Sequence, residues 1–164
     1  MSRRSGLAVQ ISPYSQRIES SPIGHDTRGT EFRLIVDRTL VPGRWFAAAN
    51  LSYLPQHSAY SDGSIVREAT VELSGAVSHR LWGDVFVGGE IRYLGKYQGY
   101  GLDQPAGRAL YLGPTLFTAI GEQGYLGAAW SVQVAGSAAI NGAPQLDWEN
   151  FERHQFRLKA GLSF

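Results

Sequence analysis

The chain has 164 residues, 43% hydrophobic and only 18% charged, with a net charge of +1. That length suits one domain spanning residues 1–164, and the composition excludes a disordered tail. The near-zero charge lacks the basic excess of a nucleic-acid footprint, and zero Cys removes disulfides, thiolate metal sites and thiol nucleophiles together.

Met1-Ser2-Arg3-Arg4 begins like the charged start of a signal peptide, but Gln10, Ser12 and Pro13 interrupt any apolar run behind it. From Leu7 onward the chain alternates with period two. Leu7, Val9 and Ile11 open the pattern, and Phe32, Leu34 and Val36 repeat it. Trp45, Ala47, Ala49, Leu51 and Tyr53 form a longer stripe, followed by Val71, Leu73, Gly75 and Val77. Val85, Val87, Gly89, Ile91 and Tyr93 come next. The weakest window is 110–117, where Tyr111 and Phe117 fall on the polar face and Pro114 on the apolar one. Leu126, Ala128, Trp130, Val132 and Val134 belong to a stretch too short and too alternating for a membrane helix, which needs about 18 apolar residues. Phe156, Leu158, Ala160, Leu162 and Phe164 close the chain. About eight strands are predicted, with no helix.

Two further patterns accompany the alternation. Arg33, Glu72, Glu90, Arg92, Arg157 and Lys159 all lie opposite the apolar stripe, and slightly longer windows add Glu31 and Asp37 to that face. The connections alternate in length. Residues 13–29, 55–67, 95–107 and 136–153 are long links, and 40–44, 79–84 and 121–124 are short ones. In an up-and-down barrel this places tight turns at one end and large loops at the other.

Alternation by itself does not say which face is inside. A soluble barrel turns its apolar residues inward, whereas an outer-membrane barrel turns them to lipid. The turn and loop asymmetry favours the membrane. So does strand length: nine residues span roughly 30 Å, or about 23 Å after a tilt near 40°, close to an apolar band of about 25 Å. Aromatics on the apolar face also fall near strand ends, as girdles require: Trp45 and Phe164 at the turn end, Tyr53, Tyr93 and Phe156 at the loop end. Trp82 in a short turn fits the lower tier.

The terminal run Phe156-Arg157-Leu158-Lys159-Ala160-Gly161-Leu162-Ser163-Phe164 resembles the closing strand of Gram-negative outer-membrane barrels. With the strand number and loop asymmetry, the chain is similar in architecture to the small OmpA/OmpX-type barrels. The resemblance implies an antiparallel up-and-down transmembrane β-barrel in the outer membrane. Its partners would be the lipid bilayer, lipopolysaccharide and the barrel-assembly machinery, with Phe164 as part of the assembly signal.

An eight-stranded lumen is just wide enough to be filled by side chains, and charges there must be paired. Glu90 and Arg92, inward from one strand, are the leading candidates for an ionic plug, with Glu72 on the neighbouring strand as a partner. The other reading of the same charges is a narrow pore. His57-Ser58 and Ser78-His79 are sequence neighbours and therefore point to opposite faces of a strand, so neither makes a catalytic pair. No metal-ligand spacing, phosphate loop or cofactor motif appears. Tyr60, Tyr97, Tyr100 and Trp148 in the long links suit an extracellular ligand. The leading expectation is a non-enzymatic structural or surface-interaction barrel with a filled lumen. The alternatives are a small channel or the C-terminal part of a larger pore, and a lipid-A-modifying barrel enzyme.

Overall fold

The computed structural model describes residues 5–18, 24–121, 123–138 and 146–162. They form eight strands: β1 (Ser5–Ile18), β2 (His25–Val41), β3 (Trp45–Tyr60), β4 (Ile65–Trp82), β5 (Val85–Gln98), β6 (Pro105–Ile120), β7 (Gly124–Ala138) and β8 (His154–Leu162). Every consecutive pair is antiparallel, and together they make one up-and-down sheet in the order β1 to β8. Among the described residues no helix is long and apolar enough to cross a membrane, a criterion that does not bear on strands.

The sheet curls into a half-barrel. Its curl brings β5 within side-chain reach of β8, although β6 and β7 lie between them. Among the described residues β1 pairs only with β2, and β8 only with β7, so the closed barrel expected from the pattern is replaced by a curled sheet with two edges. The inward positions midway along β6 and β7 are small (Gly113, Thr115, Gly127, Ala129 and Ser131), which leaves room for longer side chains from β5 and β8 to meet over them. A Cβ at Gly113 would run into the Trp130 carbonyl and Ser131 Cα. The β6–β7 pairing is interrupted at Gly113 and Pro114, where proline has no N–H to donate.

The strands run further than the apolar alternation. Residues 13–18, 25–29, 55–60 and 95–98, read from sequence as parts of long links, are strand. Their inward side chains are polar and bond one another: Thr27 with Ser58 at 2.8 Å, and Tyr14 with Gln56, which in turn donates to Glu68. Ladder hydrogen bonds hold the backbone extended there, so the strands continue after the hydrophobic signal has faded. The links shrink accordingly. Among the described residues, 42–44, 83–84, 121 and 123 lie in links at one end, and 61–64, 99–104 and 146–153 lie in links at the other. Gly43, Gly83 and Gly121 take positive φ in the first three, the backbone that tight hairpins need. In the 61–64 turn the Ser64 hydroxyl and N–H bond the Asp62 carboxylate and hold its pKa below the usual range.

The usual inside and outside are exchanged. Among the described residues only Ala69, Leu94, Ala109, Tyr111 and Ala138 are buried and hydrophobic, while Thr27, Ser52, Ser58, Ser74, Arg92, Ser131, Gln133 and Asp147 are buried and polar. The large aliphatic side chains stand on the convex face, exposed: Leu7 at 73%, Leu73 at 55%, Leu158 at 63%.

Candidate functional site

The concave face collects the charged residues. The Arg92 guanidinium on β5 makes a two-pronged contact with Glu72 on β4: Nε to Oε1 at 3.0 Å and Nη2 to Oε2 at 2.7 Å. Its remaining terminal nitrogen donates to Gln155 Oε1 on β8 at 2.6 Å, and its plane lies over the Tyr111 ring. Arg157 on β8 donates to the Glu90 carboxylate on β5. Arg33 bonds Glu31 two residues away on β2 at 2.6 Å. Of the eight charged residues read from sequence, six therefore stand in three ion pairs. Lys159 lines the same concave space without an ion pair among the described residues. Asp37 lies apart, exposed at the turn end of β2, with its carboxylate against Gly6 of β1.

Between these pairs lies a cavity of about 230 Å³, lined by Arg33, Asn50, Glu72, Glu90, Arg157 and Lys159 among others. Ser131 Oγ, Gln133 Oε1 and Arg157 Nε are buried and lack a hydrogen-bond partner among the described residues. Of these three residues only Arg157 lines the cavity, whose wall of charged and polar side chains is wettable and suits water or a small polar solute.

Several members of this interior were not singled out by sequence. Glu68 and Lys96 make a further ion pair at 2.8 Å, at inward positions just beyond the apolar windows. Tyr111, out of place in the alternation, is fully buried: its hydroxyl donates to the Glu152 carbonyl at 2.5 Å, which ties the 146–153 segment to β6. The same segment is anchored twice more, by Gln133 of β7 donating to the Asp147 carbonyl at 3.2 Å and by the Asn150 side-chain amide donating to the Ala106 carbonyl of β6 at 3.2 Å. Phe117, the other misplaced aromatic, belongs to an inward row at the turn end, Phe46–Phe86–Phe117–Tyr125, with ring centroids 5.5 to 5.8 Å apart. Aromatics at inward positions near strand ends were the available signal for that row.

The residues read as a girdle stand on the convex face. Trp45 packs against His79 at 4.6 Å, Tyr53 bonds the Tyr100 carbonyl, Tyr93 is exposed beside Leu110, and Phe156 pairs in register with Trp130. Phe164 lies outside the described residues. His25 and His154 each pack on an aromatic ring, Tyr60 and Trp130 respectively. Ser58, bonded to Thr27, points away from its neighbour His57. Among the described residues no three His, Asp or Glu are grouped to hold a metal.

Fold and interior together define an all-β protein whose eight-stranded half-barrel carries a charged concave face and an apolar convex one, consistent with a small β-barrel. The chain belongs to a family of unknown function (DUF6662), whose model matches residues 3–164. No curated protein matches the chain. No solved structure matches it either.

Proposed function

We propose that the protein is an outer-membrane barrel of the OmpA/OmpX type from a Gram-negative bacterium, non-enzymatic, with lipid against its convex face and an ion-paired plug inside. One observation carries this reading: aliphatic side chains are exposed along the whole convex face while the buried positions are predominantly polar. In water such an apolar surface would drive association, because monomers rarely expose patches above a few hundred Å². In a bilayer it is the required surface. The barrel's partners are then the bilayer, lipopolysaccharide and the barrel-assembly machinery. Ligands outside the cell would meet the loop end.

The test is refolding. Denatured protein diluted into detergent micelles or lipid vesicles should gain β circular dichroism and migrate faster unheated than boiled in electrophoresis. A folded monomer in buffer without any amphiphile overturns the reading.

A second reading is a narrow channel, or one part of a larger pore. It is favoured by the polar cavity and by the two sheet edges, which in lipid must find partners because unpaired backbone groups there cost several kcal/mol each. Single-channel steps in a planar bilayer would support it, and a silent bilayer containing inserted protein would leave the plugged barrel.

A further inference from the structure

The convex face carries an arrangement that lipid burial alone does not require. β2, β3 and β4 pair without a register shift near the loop end, so Arg28 stands opposite His57 and His57 opposite Arg67. All three occupy outward positions. Adjacent strands lie about 4.8 Å apart, so three nitrogen-bearing side chains leave the sheet within about 10 Å of one another. The Arg28 side chain is 65% exposed and makes one long ion pair, 3.6 Å to Asp26. Among the described residues Asp26 is the only carboxylate on the outward positions of these three strands.

Directly below this row, toward the strand centres, a groove of about 500 Å³ opens on the same face. Phe32, Tyr53 and Pro55 form its floor, and Tyr100 from the 99–104 link walls it, held there because the Tyr53 hydroxyl donates to the Tyr100 carbonyl at 2.5 Å. Arg28 and His57 stand at its upper margin. The combination recurs on β6, where Arg108 lines a second convex groove with Tyr93 and Leu110. Each site is cationic above and apolar below.

That polarity selects the ligand. Clustered guanidinium and imidazole N–H groups call for an anion with several acceptor oxygens, and arginine matches phosphate in a two-pronged way. An apolar floor continuing from the cations toward the aliphatic band calls for hydrocarbon attached to that anion. We infer that Arg28, His57 and Arg67 bind the phosphate of a membrane lipid headgroup, whose first methylenes lie along Phe32 and Tyr53. This rests on the membrane reading above and adds a lipid-specific site to it.

The experiment uses protein refolded in dodecyl maltoside, with bound lipid counted by native mass spectrometry. Three probes are titrated: lipid A with both phosphates, the same lipid dephosphorylated, and inorganic phosphate. Phosphorylated lipid A should bind, the dephosphorylated form much less, and inorganic phosphate should compete only weakly. The double variant Arg28→Gln/Arg67→Gln should weaken binding about tenfold or more, since charge-assisted contacts are the strong ones. Arg38→Gln, outward on β2 but at the turn end, should change nothing. Should the double variant fail the unheated-mobility test for folding, each single substitution carries the comparison. Equal binding of the two lipid forms, an unaffected double variant, or full competition by inorganic phosphate overturns the lipid site while leaving the barrel in its micelle. Failure to enter the micelle at all overturns the membrane reading itself.

Discussion

Arg157 on β8 reaches over two intervening strands to the Glu90 carboxylate on β5. The space it crosses is bounded by Gly113 and Thr115 of β6 and by Ala129 and Ser131 of β7, none with a side chain long enough to obstruct it. The ion pair therefore depends on curvature, which in turn depends on small inward residues. Arg92 spans the same strands to Gln155. Two parallel tethers hold one edge of the sheet toward its middle.

The Arg92–Glu72 pair should be worth more than a surface ion pair. Arg92 is almost fully buried and has its donors distributed between Glu72 and Gln155. Glu72→Ala strands a buried guanidinium and should cost about 3 kcal/mol of stability in urea unfolding from lipid vesicles. Replacing both partners by Met should cost much less, because no charge is then left alone. Equal costs for the single and double replacements would show that the pair does not act as a unit.

Leu73 and Leu158 are exposed on the convex face near the middle of their strands. If that face meets lipid, Leu73→Arg and Leu158→Arg should each destabilise the inserted protein by about 2–4 kcal/mol. Refolding of both variants into vesicles as completely as the parent would place these positions outside the hydrocarbon.

Gly113 tests the origin of the curl. A side chain there meets the β7 backbone, so Gly113→Val should push β6 from β7 and separate Glu90 from Arg157, costing about 1–3 kcal/mol as overpacking does. Gly89→Ala on β5, whose added Cβ would only touch the Gly113 carbonyl at 3.8 Å, should be close to neutral. Matching stabilities for the two variants would remove the close approach as the cause.

The two edges can be probed with cysteines because the chain has none of its own. Val9→Cys on β1 is combined in turn with Phe156→Cys, Leu158→Cys and Ala160→Cys on β8, all at convex positions. For a barrel closed on itself in the membrane, one of the three pairs should oxidise within a single chain, since a disulfide needs Cα atoms within about 7 Å. Disulfides formed only between chains would assign the edges to a larger barrel built from two copies.

Much of this architecture is readable along the chain. Which side chains share a face is a local property, because successive residues on a strand point to opposite sides whatever the strand pairs with. Hence Glu90 and Arg92, or Leu158 and Leu162, sort correctly from spacing alone. The strand ends were not readable, since Thr27, Gln56 and Ser58 alternate among polar residues and leave no hydrophobic contrast. Nor were the roles of Tyr111 and Phe117, which break the alternation in sequence and yet hold particular places on the concave face: one, buried, ties down a link, and the other, exposed, continues an aromatic row at the turn end.

By itself the amino-acid order determined eight alternating strands, the division of charged from aliphatic side chains between two faces, and the short connections at one end. Only the tertiary structure decided that Arg157 meets Glu90, that Arg92 serves both Glu72 and Gln155, and that Arg28, His57 and Arg67 fall in one row. The physical reason is that facing is set by backbone geometry within a strand. Neighbourhood across strands depends on register and curvature, which are properties of the whole sheet.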